Sequence, residues 1–498
     1  METSARWLNP LLVTAFLFTL LYSLWCATVG WGTPIVQQYE FVQAKAAITT
    51  YYIAQGGPIL RYELPVMGPP WSVPYEFPFY QVASAWTHNL TGMPLEAAGR
   101  IVAKIFFYLS CIPLFLIARV LGFTGRTPLV PVTLFLASPI YLYWSRQFMN
   151  ESTATFFGLA YLAAAMLWAK NPGNGKWLLA LVFGVAAALA KSTTYSTFGL
   201  TAGIFLSYEL FRGRSISFAA VMRALTILVV PLVAGLLWVR YTDGVKLLNP
   251  LAADTHTSAA LSQWYLSSNW VERMSGNLWY HFFRITLHDA IGHRAVWILS
   301  LFVAAYLGKR AWLYWLCSCL FLVAPLLFTH AHLLHDYYAN ANAVFLVFAA
   351  AVLVERAIAS EKKWGVWLGA VFFVLVIGYE VRDFMGKGYL QQQERRMPQI
   401  DFAKKLQGIV APGDVMLMYG EDWCPVIPYY AERRAIMMQN STWYNPRLAE
   451  SLALLKQEGK KVSVTVLCHE ARTDEVLKSR IFLGPLLLRD TCDVYAYR

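Results

Sequence analysis

Apolar runs of about 17 to 25 residues, each long enough to cross a hydrocarbon core of about 30 Å, recur from near the N-terminus to about residue 383. Inside a bilayer the backbone must satisfy its own hydrogen bonds, and runs of this length do so as helices. The expected fold is therefore an α-helical polytopic membrane protein. Composition agrees: the 498 residues are 57% hydrophobic and only 14% charged, against roughly 25% charged usage in soluble domains. The net charge of +12 would suit nucleic acid, but the Lys and Arg lie mainly in short loops between apolar runs and in the tail. That distribution is a topology and headgroup signal, and nucleic acid is set aside as a partner.

Spans are expected at roughly 10–29, 101–121, 129–145, 153–169, 177–190, 195–211, 220–240, 293–308, 311–328, 337–355 and 364–383, about eleven in all. The first run follows Arg6 and lacks a small-x-small cleavage site, so it reads as an uncleaved helix. An odd count puts the two ends on opposite sides. With a cytoplasmic N-terminus, the cytoplasmic loops hold Arg126; Lys170 and Lys176; Arg212, Arg214 and Arg223; Lys309 and Arg310; and Arg356, Lys362 and Lys363. All are short and basic, as the positive-inside rule requires. The opposite face receives the long loops 30–100 and 241–292, two short turns, the stretch HLLHDYY (332–338) and everything after 383. Two domains are expected, a membrane domain 1–383 and a small extracytoplasmic α/β domain 384–498.

The rare polar chemistry gathers on that one face. In the first long loop, 36–52 reads as a helix along the membrane surface, and a shorter helix is expected near Pro78. Glu40 and Glu76 are each flanked by aromatic and apolar residues; partial burial raises a carboxylate's pKa and suits it to general-base work. Glu63 reads as a solvated neighbour of Arg61. In YWSRQFMNES, Arg146 and Glu151 either pair with each other or leave the guanidinium to hold a lipid phosphate. Lys191, at a helix end among hydroxyls, either snorkels to the interface or meets a phosphate. The second long loop is rich in Trp, Tyr and His, with an amphipathic second half that covers a cavity or lies on the membrane.

Beyond residue 397 strand-like stretches (DVMLMYG, RAIMM, VSVTVLC, DVYAYR) alternate with helical ones, without a glycine-rich phosphate loop or a catalytic triad pattern. GEDWCPVIPYY follows a strand directly, so Glu421, Asp422 and Trp423 touch ligand there or fix the domain to the rest of the chain. Cys424, Cys468 and Cys492 permit one disulfide in an oxidising compartment and leave one thiol out. The triplets at Asn89, Asn150 and Asn440 matter only in a host that N-glycosylates.

The order of one span, a long acidic first loop with PPW…EFPFYQ, AGR (98–100), SRQFMNE and HDYY resembles the GT-C superfamily of polyprenyl-phosphate-sugar glycosyltransferases, especially protein O-mannosyltransferases and the lipid A aminoarabinose transferase. The resemblance covers residues 1 to about 383 and implies inverting transfer of a sugar from a polyprenyl-phosphate donor to a glycan, lipid or protein acceptor outside the bacterial inner membrane. It implies a first-loop carboxylate as base, Glu40 or Glu76. The Asp-Glu pair common in the family is replaced here by QYEFVQ, which leaves the two acids as alternatives. Arg61, Arg146, Lys191 and His335 are the cations expected at the donor phosphate. Asp336, Tyr337, Tyr338, Glu151 and Trp71 are expected at the sugar or acceptor. No soluble cofactor is implied. A divalent cation stays open, with His332, His335 and Asp336 as a weak alternative metal set, and HLLHDYY can also be read as an interfacial aromatic belt with a histidine cap. The rival readings are an O-antigen ligase or polymerase using diphosphate-linked glycans, and a lipid-sugar flippase. The flippase would show internal repeats and mid-membrane breaks that the sequence lacks.

Overall fold

The computed structural model describes residues 7–35, 38–212, 217–266, 270–360, 362–393, 396–439, 443–481 and 483–498. Arg6, Arg214 and Asn440 lie outside them. The chain forms two compact units: Met1–Trp31, Arg100–Leu237 and Ser262–Gln393 make one, and Gly32–Gly99, Trp238–Leu261 and Glu394–Arg498 the other. This division departs from the linear boundary at 383. The first long loop belongs with the tail, and the second long loop is shared between the units.

Among its described residues the first unit contains helices and connecting turns but no strand, and its helices fall where the apolar runs place them. Counted over the whole chain, seven described helices are long and apolar enough to cross a membrane: Leu8–Thr28, Leu95–Val120, Glu151–Lys170, Phe218–Lys246, Arg294–Leu327, Asp336–Ile358 and Lys363–Gln391. Length and composition therefore give a smaller number than eleven, for local reasons. The segment 129–144 breaks at Ser138 into Leu129–Ala137 and Pro139–Trp144, because the ring of Pro139 cannot continue the helix. Arg294–Leu327 runs through a single 3-10 turn, Gly308–Ala311, where two spans are expected. Asn174–Ala190 is shorter than the others. Asp336–Ile358 is almost entirely buried from Tyr337 onward, with Asp336 at its start half-buried.

In the second unit, strands β1 (Val415–Tyr419), β2 (Arg434–Met438), β3 (Val462–Leu467), β4 (Leu483–Arg489) and β5 (Asp493–Tyr497) form one sheet in the order β2-β1-β3-β5-β4. The β1 contacts with β2 and β3 are parallel; β5 is antiparallel to β3 and β4. Strand β1 is buried along its whole length, as a central parallel strand with both faces covered must be. The first loop extends this sheet. Ala435 and Met437 donate backbone hydrogen bonds to the carbonyls of Pro65 and Val66, both at 2.9 Å, which adds the segment 65–67 beside β2. Asn249 Nδ2 donates to the carbonyls of Gly68 (2.8 Å) and Pro70 (2.9 Å), and Trp238 Nε1 to that of Tyr75 (2.8 Å). Three stretches distant in sequence thus share one core. Glu40–Ala54 and Phe79–Thr91, the helices expected in the loop, pack against each other in the same unit.

Candidate active site

Two constellations stand out, one in each unit. In the helical unit, Glu151 opens the helix Glu151–Lys170, and Lys191 occupies the extended residue between Asn174–Ala190 and Ser192–Arg212. The Lys191 ammonium contacts the Glu151 carboxylate directly. It also lies 5.2 Å from the ring centre of Tyr337 and 4.6 Å from that of Tyr338. Tyr337 stacks on Tyr338 (4.7 Å) and on His335 (5.3 Å). Five expected site residues, Glu151, Lys191, His335, Tyr337 and Tyr338, therefore come together: an ammonium in an aromatic and carboxylate setting. His332 is buried, its Nδ1 2.9 Å from the Phe328 carbonyl, and burial pushes its pKa down to about 4.

Arg146 belongs to a different cluster. Its Nη2 donates to the Gly30 carbonyl (2.8 Å), Arg100 Nη1 to the Trp31 carbonyl (2.7 Å), and Lys104 Nζ to Ser145 Oγ (2.9 Å). All three cations are buried. Arg100 and Lys104 were not expected as site residues, although their i, i+4 spacing on an apolar helix is a readable signal of one cationic face. Asp336 sits near a third group: its charge raises the pKa of Asp289, which burial, the larger cause, takes to about 6. Asp383 lies 2.7 Å from His288 Nδ1, and Lys387 3.6 Å from Asp289. Donor atoms of His288, Asp289 and Asp383 are close enough together to share a metal ion, whereas His332, His335 and Asp336 are not so gathered. The oxygen and imidazole donors suit a divalent ion. Lys387 and the His288–Asp383 contact already neutralise them, so no chemistry is routed through a metal here. Glu421, Cys468 and Cys492 also approach one another, but the sulfurs are bonded to each other, which removes both thiolates.

In the second unit, Lys45 and Lys246 each place an ammonium 4.6 Å from the ring centre of Tyr75. The edge of His256 meets Tyr75 (6.0 Å) and Trp423 (5.0 Å), and Trp423 meets Phe41 (5.8 Å). Burial first, then the charges of Lys246 and Lys45, push the His256 pKa down to about 3, so its imidazole is neutral. Glu76 adjoins Tyr75, and its carbonyl accepts a hydrogen bond from Tyr62 (3.0 Å). At the other end of this row, Glu40 begins its helix directly after Tyr39, whose φ is 56°. Glu40 lies near enough to Glu421 for its charge to raise the Glu421 pKa, a shift caused chiefly by burial.

Glu421 and His469 follow the carboxyl ends of neighbouring parallel strands β1 and β3, with His469 Nε2 3.0 Å from Glu421 Oε1. Gly420 permits this: its φ is 90°, and a Cβ there would fall 2.0 Å from the Cys468 carbonyl oxygen. Both first-loop acids thus stand on one row of residues. Lys45, Lys246 and His256 were missed in the sequence because their partners come from remote segments. Arg61 and Trp71 stand apart. The Arg61 side chain is exposed, while Trp71 is buried, donates Nε1 to Glu458 (3.0 Å) and is flanked by Arg434 and Lys460. Glu63 faces Arg434 at 2.6 Å.

The sequence matches no family model and no curated protein. Its backbone does match solved structures. ArnT from Cupriavidus metallidurans bound to undecaprenyl phosphate aligns with a TM-score of 0.61 at 14% identity, over 96% of this chain and 97% of that one. The apo state of the same protein gives 0.58 over the same shares. Arabinofuranosyltransferase AftD from Mycobacteria gives 0.53 at 13% identity, over 100% of this chain and 40% of AftD. The chain is an integral membrane protein with a GT-C fold. Such low identity speaks for the fold, and the sites above must carry the function.

Proposed function

We propose that the protein transfers a sugar from a polyprenyl-phosphate donor to a hydroxyl acceptor, with Glu40 as general base. The observation that supports this best is the pair of ammonium groups, Lys45 and Lys246, set against one tyrosine ring beside a neutral histidine. Such a pair suits a phosphate that gains charge as it leaves. In the reaction, Glu40 takes the acceptor hydroxyl proton, the acceptor oxygen bonds to the anomeric carbon from the face opposite the phosphate, and the anomeric carbon–phosphate oxygen bond breaks. The configuration inverts.

ArnT was solved with undecaprenyl phosphate, and the two ammonium groups suit the phosphate of a lipid of that kind. We place the tail outside the cytoplasm of a bacterial inner membrane, with the N-terminus inside. The basic short loops and the Cys468–Cys492 disulfide support this. A ligase using diphosphate-linked glycans is the second reading, favoured by the three buried cations Arg100, Lys104 and Arg146.

The test is transfer of radiolabelled sugar from a panel of polyprenyl-phosphate sugars by protein in nanodiscs. Consumption of one monophosphate donor, abolished in Glu40→Gln, supports the proposal. Turnover only with diphosphate-linked glycans moves the assignment to the ligase.

A further inference from the structure

A separate cavity of about 460 Å³ opens in the α/β unit, lined by His469, Arg472, Thr473, Arg489, Thr491 and Asp493. One rim follows β3 and the other is the β4–β5 turn. The Cys468–Cys492 disulfide joins the rims, so their spacing is fixed covalently. Asp493 is the one carboxylate of the lining, its side chain only 7% exposed, and it is shared: Arg472 Nη2 donates to its Oδ1 (3.0 Å), and Arg489 Nε lies 3.5 Å from the same oxygen. Arg472 is further oriented by a bond from Nη1 to the Thr491 carbonyl (3.0 Å). The Arg489 side chain is 68% exposed, and among the described residues its terminal nitrogens have no hydrogen-bond partner. Two guanidiniums thus face one carboxylate that is turned inward, while the His469 imidazole on the same lining is engaged by Glu421.

We propose that this cavity binds the acidic group of a saccharide. Guanidinium forks match phosphate or carboxylate oxygens two at a time, and the cavity is larger than a bare anion needs, within the range of small-molecule sites. That the anion is carried on a saccharide rests on the transferase reading; that the cavity takes an anion does not. His469 joins this cavity to Glu421, which follows the neighbouring strand β1.

The test is equilibrium binding of radiolabelled glucose 6-phosphate, glucuronate and glucose to the full chain in nanodiscs of neutral lipid. At least one acid is expected to bind while glucose does not. Arg489→Gln should weaken that binding at least tenfold, Arg489→Lys less, and Lys456→Gln, exposed on the helix Leu448–Gln457 away from both sites, no more than twofold. Binding of only the phosphate or only the uronate identifies the acidic group and supports the cavity in either case. Binding that matches glucose, or that is lost in Lys456→Gln but kept in Arg489→Gln, overturns the proposal. No turnover is needed for this readout, so failure of the cavity and failure of the transferase reading are seen separately.

Discussion

Lys191 and Glu151, forty positions apart in sequence, form an ion pair whose side chains are 7% and 3% exposed, beneath the stacked rings of Tyr337 and Tyr338. Removing one member of such a pair leaves an uncompensated buried charge, which costs about 3–5 kcal/mol. Lys191→Met and Glu151→Gln should therefore each lower the thermal unfolding midpoint in detergent, with Lys191→Met the worse because it strands a carboxylate. The double variant should recover part of the loss. If each single variant unfolds like the wild type, the pair is not buried as described.

The two first-loop acids are separable by kinetics. General-base catalysis contributes typically 10²–10⁴-fold, so Glu40→Gln should lose about that much turnover while donor binding stays within a few-fold. Glu76→Gln, beside Tyr75 and the two ammonium groups, should change donor affinity more than turnover. Measuring kcat and donor Kd for both variants decides it. A large kcat loss in Glu76→Gln with Glu40→Gln near wild type would reverse the assignment.

The helical architecture was legible because a bilayer imposes length and polarity on each span, and local sequence carries both. HLLHDYY, Lys191 and Glu151 were found for the same reason, since ionisable groups at helix ends within apolar surroundings are conspicuous. The span count was less secure, because Pro139 breaks one apolar run and Gly308–Ala311 carries the chain between two others. The membership of the second unit was not legible at all. Nothing local in PVMGPP indicates that 65–67 will add beside β2, or that Asn249 will hold the turn at Gly68 and Pro70. Lys45, Lys246 and His256 became a group only through that long-range pairing.

His256 gives a pH signature. Its folded pKa, about 3, lies below the ordinary histidine value of 6.5, so the folded state favours the neutral ring. The resulting stability is fully present above about pH 6.5 and is lost as the pH falls towards 3, with a slope of at most about 1.4 kcal/mol per pH unit. Between pH 7 and 5, above most carboxylate titrations, the wild-type unfolding midpoint should fall as acid is added, and His256→Phe should fall less. Equal slopes for the two proteins would show that His256 is not the group responsible.

The cysteines of the tail report both the fold and the compartment. Cys468 and Cys492 close a loop across 24 positions, and a cross-link of that span contributes about 2–4 kcal/mol, mainly by restricting the unfolded chain. Cys424 is left as a thiol, and burial, the main cause, pushes its pKa up to about 12, which makes it a poor nucleophile at neutral pH. Alkylation of native membranes followed by mass spectrometry should leave Cys468 and Cys492 unmodified until a reductant is added under denaturing conditions, whereas Cys424 should react under denaturation without reductant. Cys468→Ser should lower the unfolding midpoint and loosen the rim that carries His469 and Arg472, weakening acid binding in the cavity as well. Free Cys468 and Cys492 in freshly prepared, acid-quenched membranes would place the tail in a reducing compartment, contrary to the topology drawn from the basic loops.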